Sequence, residues 1–367
     1  MADFINAPIT DCHVHLRGVQ KIPNLMMLLD DCRISRVGLV CTAGTPQRGL
    51  AGNSVAMLCK AMHPQRVFVF GGLEYGLDGE PTKQGLRRQA EALRAAGCDG
   101  MKMIEGKPTA RKRIGLALDG PVYDEYYAYL EAEAIPILYH VADPETFWDP
   151  GTIPPAAKQH GWDYTSGDFP TKEQLYAEID GVLGKFPKLR IIFAHFYFLS
   201  ADVERAARFM DAWPNVSFDI TPGSEMYRNF AKAPQRWREF FTRYQDRILF
   251  GTDNGPTSQP RDENHKRMAE KVWMMRMFLE TAEDFEGFCT ATSRLVTGIG
   301  LDREVLEKIY HRNYLRYTSE RPRPLDLWLA QEHCRRLVNY ASANSQDPEL
   351  LSELKQTQQQ LRAVAQP

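Results

Sequence analysis

Short runs rich in β-branched and aromatic residues recur along the chain, each followed by a longer stretch with apolar residues at helical spacing. The runs are Ile9–His15, Val37–Thr42, Val67–Leu73, Gly100–Ile104, Ile135–Val141, Leu189–His195, Val216–Ile220 and Ile248–Asp253. Between them, Pro23–Cys32, Lys83–Ala96, Val122–Ala134 and Lys172–Lys185 read as amphipathic helices. Breakers such as Gly97 and Pro187 stand where helix gives way to strand. Eight strands alternating with helices predict an α/β protein with a parallel sheet inside and helices outside. Closed on itself, that sheet is a (β/α)8 TIM barrel, whose functional side chains gather at the carboxyl ends of the strands. The open, doubly wound alternative favours a GxGxxG turn after the first strand, and here that strand ends in CHVHLRG.

Two regions break the alternation. Asp143–Pro170 is a long loop dense in proline, glycine and aromatic residues, and loops of that length inside a domain usually cover or form a site. From about Ser319 onward the chain turns polar and helical. The expected organisation is a barrel over residues 1–318 and a helical extension over 319–367. The extension is expected to pack outside the barrel as one or two helices or to form the contact of a homo-oligomer.

Composition narrows the partners. Lys and Arg total 45 against 47 Asp and Glu, a net charge of -2 without blocks of like charge. No bulk field draws this chain to nucleic acid or anionic lipid, and no apolar run approaches the ~18 residues of a membrane span. The start, MADFINAPITDCHVHL, lacks the basic and apolar regions of a secretory leader. A cytoplasmic protein acting on a small molecule is therefore expected. The seven cysteines (12, 32, 41, 59, 98, 289 and 334) never form a CxxC pair, which argues against disulfides and thiolate zinc sites.

Histidine carries the chemistry. Of nine in the chain, His63, His160, His265, His311 and His333 fall in predicted helices or loops and read as surface or capping residues. The other four end predicted strands. His13 and His15 are two apart, so on a strand both face the barrel interior. His140 ends ILYH, His195 ends IIFAH, and Asp253 ends ILFGTD as a carboxylate leaving an apolar strand. Lys102, in GMKM, shares inward parity with Cys98 and Gly100. Their spacing places them on strands 1, 4, 5, 6 and 8, around one barrel mouth.

DCHVH at Asp11–His15, Lys102, His140, His195 and GTDN at 251–254 resemble the amidohydrolase superfamily over roughly residues 9–315. IYHRNYLRY (Ile309–Tyr317) is similar to the closing helix of its amidohydrolase-related, decarboxylase-like branch. The resemblance implies that His13, His15, His140, His195 and Asp253 bind one or two divalent ions. Zinc suits these nitrogen and oxygen ligands best, with manganese as the alternative. For Lys102 it leaves three roles open: a carboxylated bridge between two metals, a substrate contact, or an ion pair behind the ligands. It also implies a mechanism, in which a bound ion lowers the pKa of water to about 7 and Asp253 shuttles the proton. His195 or His140 then ligates or stabilises the oxyanion.

Substrate contacts are less determined. Arg17 follows the histidine pair where dihydroorotases have a carboxylate-holding arginine, and a guanidinium suits that group; an exposed loop arginine is the other reading. Strand 8, with GTDNGPTSQ, departs from the TDHAPH-like stretch of dihydroorotases, so that activity is not assigned. Glu74, Asp219, Glu225, Tyr227, Arg228, Trp148 and Trp162 either line the pocket or serve packing. Arg111–Arg113 reads as a solvated turn. Three functions follow in order: a hydrolase of amides, lactones or esters in a small substrate that can carry a carboxylate; a one-metal decarboxylase or hydratase; and a non-catalytic barrel.

Overall fold

Eight parallel strands follow one another in sequence order around a barrel: β1 (Thr10–Val14), β2 (Arg36–Val40), β3 (Val67–Gly72), β4 (Gly100–Gly106), β5 (Ile137–Val141), β6 (Ile191–Phe193), β7 (Val216–Asp219) and β8 (Ile248–Leu249). The computed structural model describes residues 4–43, 49–77, 79, 81–223, 225–256, 259–287, 294–345 and 347–364; Cys289 lies outside them. All eight predicted strands are present, and the fold is a TIM barrel. The seam between β8 and β1 closes through Cys12 N–H to the Phe250 carbonyl (2.9 Å), Asp253 N–H to that of His13 (2.8 Å) and His15 N–H to that of Asn254 (2.9 Å). The buried Asp11 carboxylate pins this seam, accepting from the N–H groups of His13 and Thr252 and from the Thr252 hydroxyl.

The helices form where their ends are satisfied. Lys172–Lys185 opens on a capping box between Thr171 and Gln174. Lys83–Ala96 is capped by Thr82 and ends at Gly97 with φ 108°. Only glycine suits that site, since a Cβ there would also lie 2.4 Å from the Pro324 carbonyl. The other two predicted helices appear as Ile22–Asp31 and Asp124–Ala132.

Two strands stop earlier than their sequence suggests. β6 ends at Phe193, because the backbone at His195–Phe198 turns left-handed with φ of 50–56°. Beyond Leu249, the Phe250 N–H donates to the Ile309 carbonyl, and Asp253 is again left-handed (φ 53°). Non-glycine residues rarely adopt this conformation, and it tends to accumulate at functional sites.

Inside the barrel, Cys12, Val40, Phe68, Phe70, Leu138, Ile192, Ala194 and Leu249 pack with Tyr314 and Tyr317. The two tyrosines come from a helical segment running as Arg303–Glu307, a π turn at Lys308–Arg312, and Asn313–Tyr317. It floors the barrel opposite the mouth. Tyr314 meets Phe68 edge-on at 5.2 Å, the Tyr317 hydroxyl donates to Ser217 Oγ at 2.7 Å, and Asn313 donates to the Ile248 carbonyl.

The extension consists of helices Leu327–Asn344 and Pro348–Val364. Their buried stripes, Ala330, Cys334, Leu337 and Ala341 on one and Leu350, Leu354, Thr357 and Leu361 on the other, follow helical spacing. They pack on each other and on helix Gly52–Met62. The buried pair of Lys60 and Asp99 (2.6 Å) ties the approach to these helices down, since Asp99 also accepts from the Arg323 N–H. Among the described residues no helix is long and apolar enough to cross a membrane. The six described cysteines are buried free thiols, whose pKa values burial raises.

Candidate metal centre

β1 sends His13 and His15 to the barrel mouth, and the left-handed residue after β8 turns Asp253 back toward them. One ligand atom from each of these three lies within 4.8 Å of the others. Asp253 Oδ1 is 3.2 Å from His15 Nε2 and 3.9 Å from His13 Nε2. The remaining imidazoles continue the row. His13 and His195 have ring centres 5.5 Å apart, and His195 and His140 have theirs 4.9 Å apart.

Hydrogen bonds behind the rings decide which nitrogen faces the centre. His13 Nδ1 donates to Asp219 Oδ2 (2.8 Å), His15 Nδ1 to the Val40 carbonyl (2.9 Å) and His195 Nδ1 to the Thr221 carbonyl (3.3 Å). Each of these rings turns Nε2 inward as a lone pair. His140 is reversed: its Nε2 faces Asp143 Oδ1 at 3.3 Å, leaving Nδ1 as the free lone pair. Asp219 also accepts the backbone N–H groups of His195 and Thr221, so it helps hold the left-handed turn after β6.

These donors fit a divalent ion. The lone pair of His15 Nε2 and the carboxylate oxygen of Asp253 face each other with no donor between them, an arrangement that calls for a shared cation. Two ligands about 2.1 Å from a tetrahedral ion stand roughly 3.4 Å apart, close to the observed separation. Burial drives the His195 and His140 imidazoles down to about 3 and about 4, and His13 well below its ordinary value. These three rings are therefore neutral, as ligands must be. Burial raises the Asp253 carboxyl, but close contact with His15 and the neighbouring His13 and His195 rings holds it well below the usual range.

Lys102 lies deeper than its sequence position suggests. It stands third in β4, in register with Gly72 and Leu138, two residues or about 7 Å below the level of His140. Its Nζ is buried without a hydrogen-bond partner among the described residues. Burial lowers its pKa to about 8, against the pull of Asp219 and Asp253.

The other candidates lie around this centre. Arg17 is exposed and shares a narrow crevice with His15, Cys41 and Glu353. Tyr227 is drawn inward by helix Met226–Ala231; its hydroxyl donates to the Ile220 carbonyl (3.0 Å) and its ring meets Phe278. That makes it a packing residue that steadies the end of β7. Trp148 is half-buried with its indole donating to the Pro170 carbonyl, inside the 143–170 loop. Glu74 is buried on Asn53 and 3.0 Å from His333 Nε2. Arg111 of the basic triplet pairs with Glu178 rather than standing free in solvent. Of the histidines read as surface or capping residues, His63 and His160 do end helices, while His265 pairs with Asp31 and His311 with Thr10.

Sequence reasoning left Asp219 open between pocket lining and packing and passed over Asp143. A buried acid at the end of β7 and an acid three residues after a strand-end histidine were the available signals.

A TIM barrel with imidazoles and a carboxylate converging at its mouth defines a class of enzymes. The amidohydrolase family model matches residues 10–316, the barrel together with its floor, and the chain belongs to that family. No curated protein sequence matches it. Among solved structures, an uncharacterised TIM-barrel protein from Bordetella bronchiseptica is similar at 15% identity and a TM-score of 0.53, covering 85% of this chain and 99% of that one. The 5-carboxyvanillate decarboxylase LigW from Sphingomonas paucimobilis is similar at 12% identity and TM-score 0.49, covering 85% and 99%. The Metarhizium anisopliae IDCase is similar at 18% identity and TM-score 0.47, covering 81% and 78%.

Proposed function

We propose that this enzyme is a metal-dependent hydrolase that adds water across an amide, lactone or ester of a small substrate that can carry a carboxylate. The observation behind this reading is the convergence of lone pairs: Nε2 of His13 and His15 and Oδ1 of Asp253 meet with no donor among them. His195 and His140 complete the ligand set, through Nε2 and Nδ1. When bound, a divalent ion, zinc by preference or manganese, makes water acidic enough to attack at neutral pH and polarises the carbonyl. The residues of the chain supply the proton path. Asp253 is held ionised, and its side chain is 37% exposed, so it can take the proton of the attacking water and pass it to the leaving group. His195, with Nδ1 engaged on Thr221, offers a lone pair rather than an N–H, which suits a ligand or proton acceptor better than an oxyanion donor. Arg17 stands at the mouth, where its guanidinium can hold a substrate carboxylate.

One observation favours a second reading, a one-metal decarboxylase. The unpartnered ammonium of Lys102 inside the barrel would bind the carboxylate-bearing substrate that such an enzyme takes. Metal quantification on wild type and His13→Ala tests the shared premise. The enzyme reading fails if neither carries a divalent ion. A panel of lactones, amides and aromatic acids, followed for both acid release and carbon dioxide release, separates the two reactions.

A further inference from the structure

The 143–170 loop has an apolar core of its own, with Phe147, Ile153, Ala157 and Tyr164 buried and Trp148, Trp162 and Phe169 packed on them. It rests on the segment after β4 through two cation–π contacts. Lys107 Nζ lies 4.4 Å from the ring centre of Trp162, and Lys112 Nζ lies 4.2 Å from that of Phe169. Such contacts are worth about 0.5–2 kcal/mol each, enough to seat a loop but not to lock it.

Both ends of this loop reach the histidines. At its start, the buried Asp143 carboxylate meets three side chains. Lys107 Nζ is 2.7 Å from both oxygens, the Tyr164 hydroxyl donates to Oδ2 at 2.6 Å, and His140 Nε2 lies 3.3 Å from Oδ1. Just past its far end, at the start of the helix that follows, Lys172 Nζ donates to the Phe198 carbonyl (3.0 Å). The Phe198 ring in turn stacks on His195 at 5.2 Å and meets His140 at 5.5 Å.

The orientation of His140 has a physical cause in this arrangement. A carboxylate held by an ammonium and a phenol is an acceptor only, so the imidazole facing it must donate. Donation from Nε2 leaves Nδ1 as the lone pair, the reverse of His13, His15 and His195. We propose that Lys107 and Tyr164 are positioning residues for the metal site: gripping Asp143 from two sides, they set the tautomer and angle of His140 so that Nδ1 faces the ion. Because Tyr164 belongs to the loop core and Trp162 covers Lys107, the setting of a metal ligand is tied to the seated loop. The inference rests on the metal-site reading above and adds residues that touch neither ion nor substrate.

The test uses the full chain, metal-free, as wild type, Asp143→Asn, Tyr164→Phe and Lys107→Met. Zinc affinity is measured by chelator competition, and the His140 tautomer by long-range 1H–15N spectra of histidine-labelled protein. Partners behind a ligand typically contribute 10–100-fold in metal affinity. Asp143→Asn is expected in that range, and Tyr164→Phe and Lys107→Met near about 10-fold. Wild-type His140 is expected to carry its proton on Nε2 and the variants to show a mixture of tautomers. The metal-free Tm of Tyr164→Phe, which keeps its ring, should stay within a few degrees of wild type. Unchanged zinc affinity in both Tyr164→Phe and Lys107→Met overturns the proposal, as does a loss of affinity that only tracks a fall in Tm with the tautomer unaltered. A wild type that binds no zinc strikes the metal reading itself and this inference with it, an outcome visible before any variant is measured.

Discussion

The Asp219 carboxylate sits 2.8 Å from His13 Nδ1, and both side chains are excluded from solvent. One carboxylate thus fixes the tautomer of a ligand on β1 and, through the His195 N–H, the backbone of a ligand after β6. Asp219→Asn should weaken zinc binding about 10–100-fold with a modest fall in stability, since an amide oxygen can still accept one of these bonds. Asp219→Ala leaves buried N–H groups unsatisfied and should cost about 1–3 kcal/mol for each. Chelator competition and denaturant titration of the two variants separate these effects. Equal zinc affinity in Asp219→Asn and wild type would remove Asp219 from the metal site.

Gly251 makes room for the same contact. A Cβ there would stand 2.6 Å from Thr221 Oγ1 and 3.0 Å from both Cys12 Sγ and His13 Cβ. These neighbours are buried in the barrel wall, so none can retreat freely. Gly251→Ala should destabilise by about 1–3 kcal/mol through overpacking and should displace His13. The expected readout is a lower metal-free Tm together with weakened zinc binding; a variant with wild-type values for both would show that the seam is looser than the structure implies.

How much of this was legible in sequence depends on the range of the interaction. The strands were, because each is a local run of β-branched and aromatic residues, and so was the HxH pair, because parity on a strand is also local. The roles of Asp219 and Asp143 were not. Asp219 meets His13 across 206 residues, and nothing near Asp143 in sequence announces Lys107 or Tyr164. Tyr227 stayed open between pocket and packing for a related reason: it follows a strand end, where mouth residues gather, but the short helix that carries it points its ring into the core. The left-handed turn at His195 had no glycine to mark it, and the depth of Lys102 followed only from the register of β4.

The barrel floor should be separable from the chemistry. The Tyr317 hydroxyl donates to Ser217 Oγ at 2.7 Å in a buried site, at the opposite end from His13. Tyr317→Phe removes the donor, strands the serine oxygen and should cost about 1–3 kcal/mol. Zinc affinity and turnover below the unfolding transition should match wild type. A loss of zinc binding out of proportion to stability would mean that the floor helix and the metal centre are coupled.

Lys102 makes the stability of the metal-free chain rise with pH. Burial lowers its pKa from 10.5 to about 8 in the folded chain, so between those values the unfolded chain binds more protons than the folded one. Stability must then rise with pH across that window. Below about pH 8 the folded state carries the whole cost of a buried, unpartnered ammonium, roughly 3 kcal/mol at 1.36 kcal/mol per pKa unit. Lys102→Met removes the charge while keeping the bulk. In metal-free protein under carbon-dioxide-free buffer, it should be more stable than wild type at pH 7 by up to that amount. The two stability curves should converge as pH climbs toward 10.5. Curves that run parallel from pH 7 to 10.5 would show that an anion already neutralises Lys102 in the resting protein. If Lys102 holds a substrate carboxylate, the same substitution should raise KM sharply while leaving zinc affinity intact; if it bridges two ions, metal content should fall from two per chain to one.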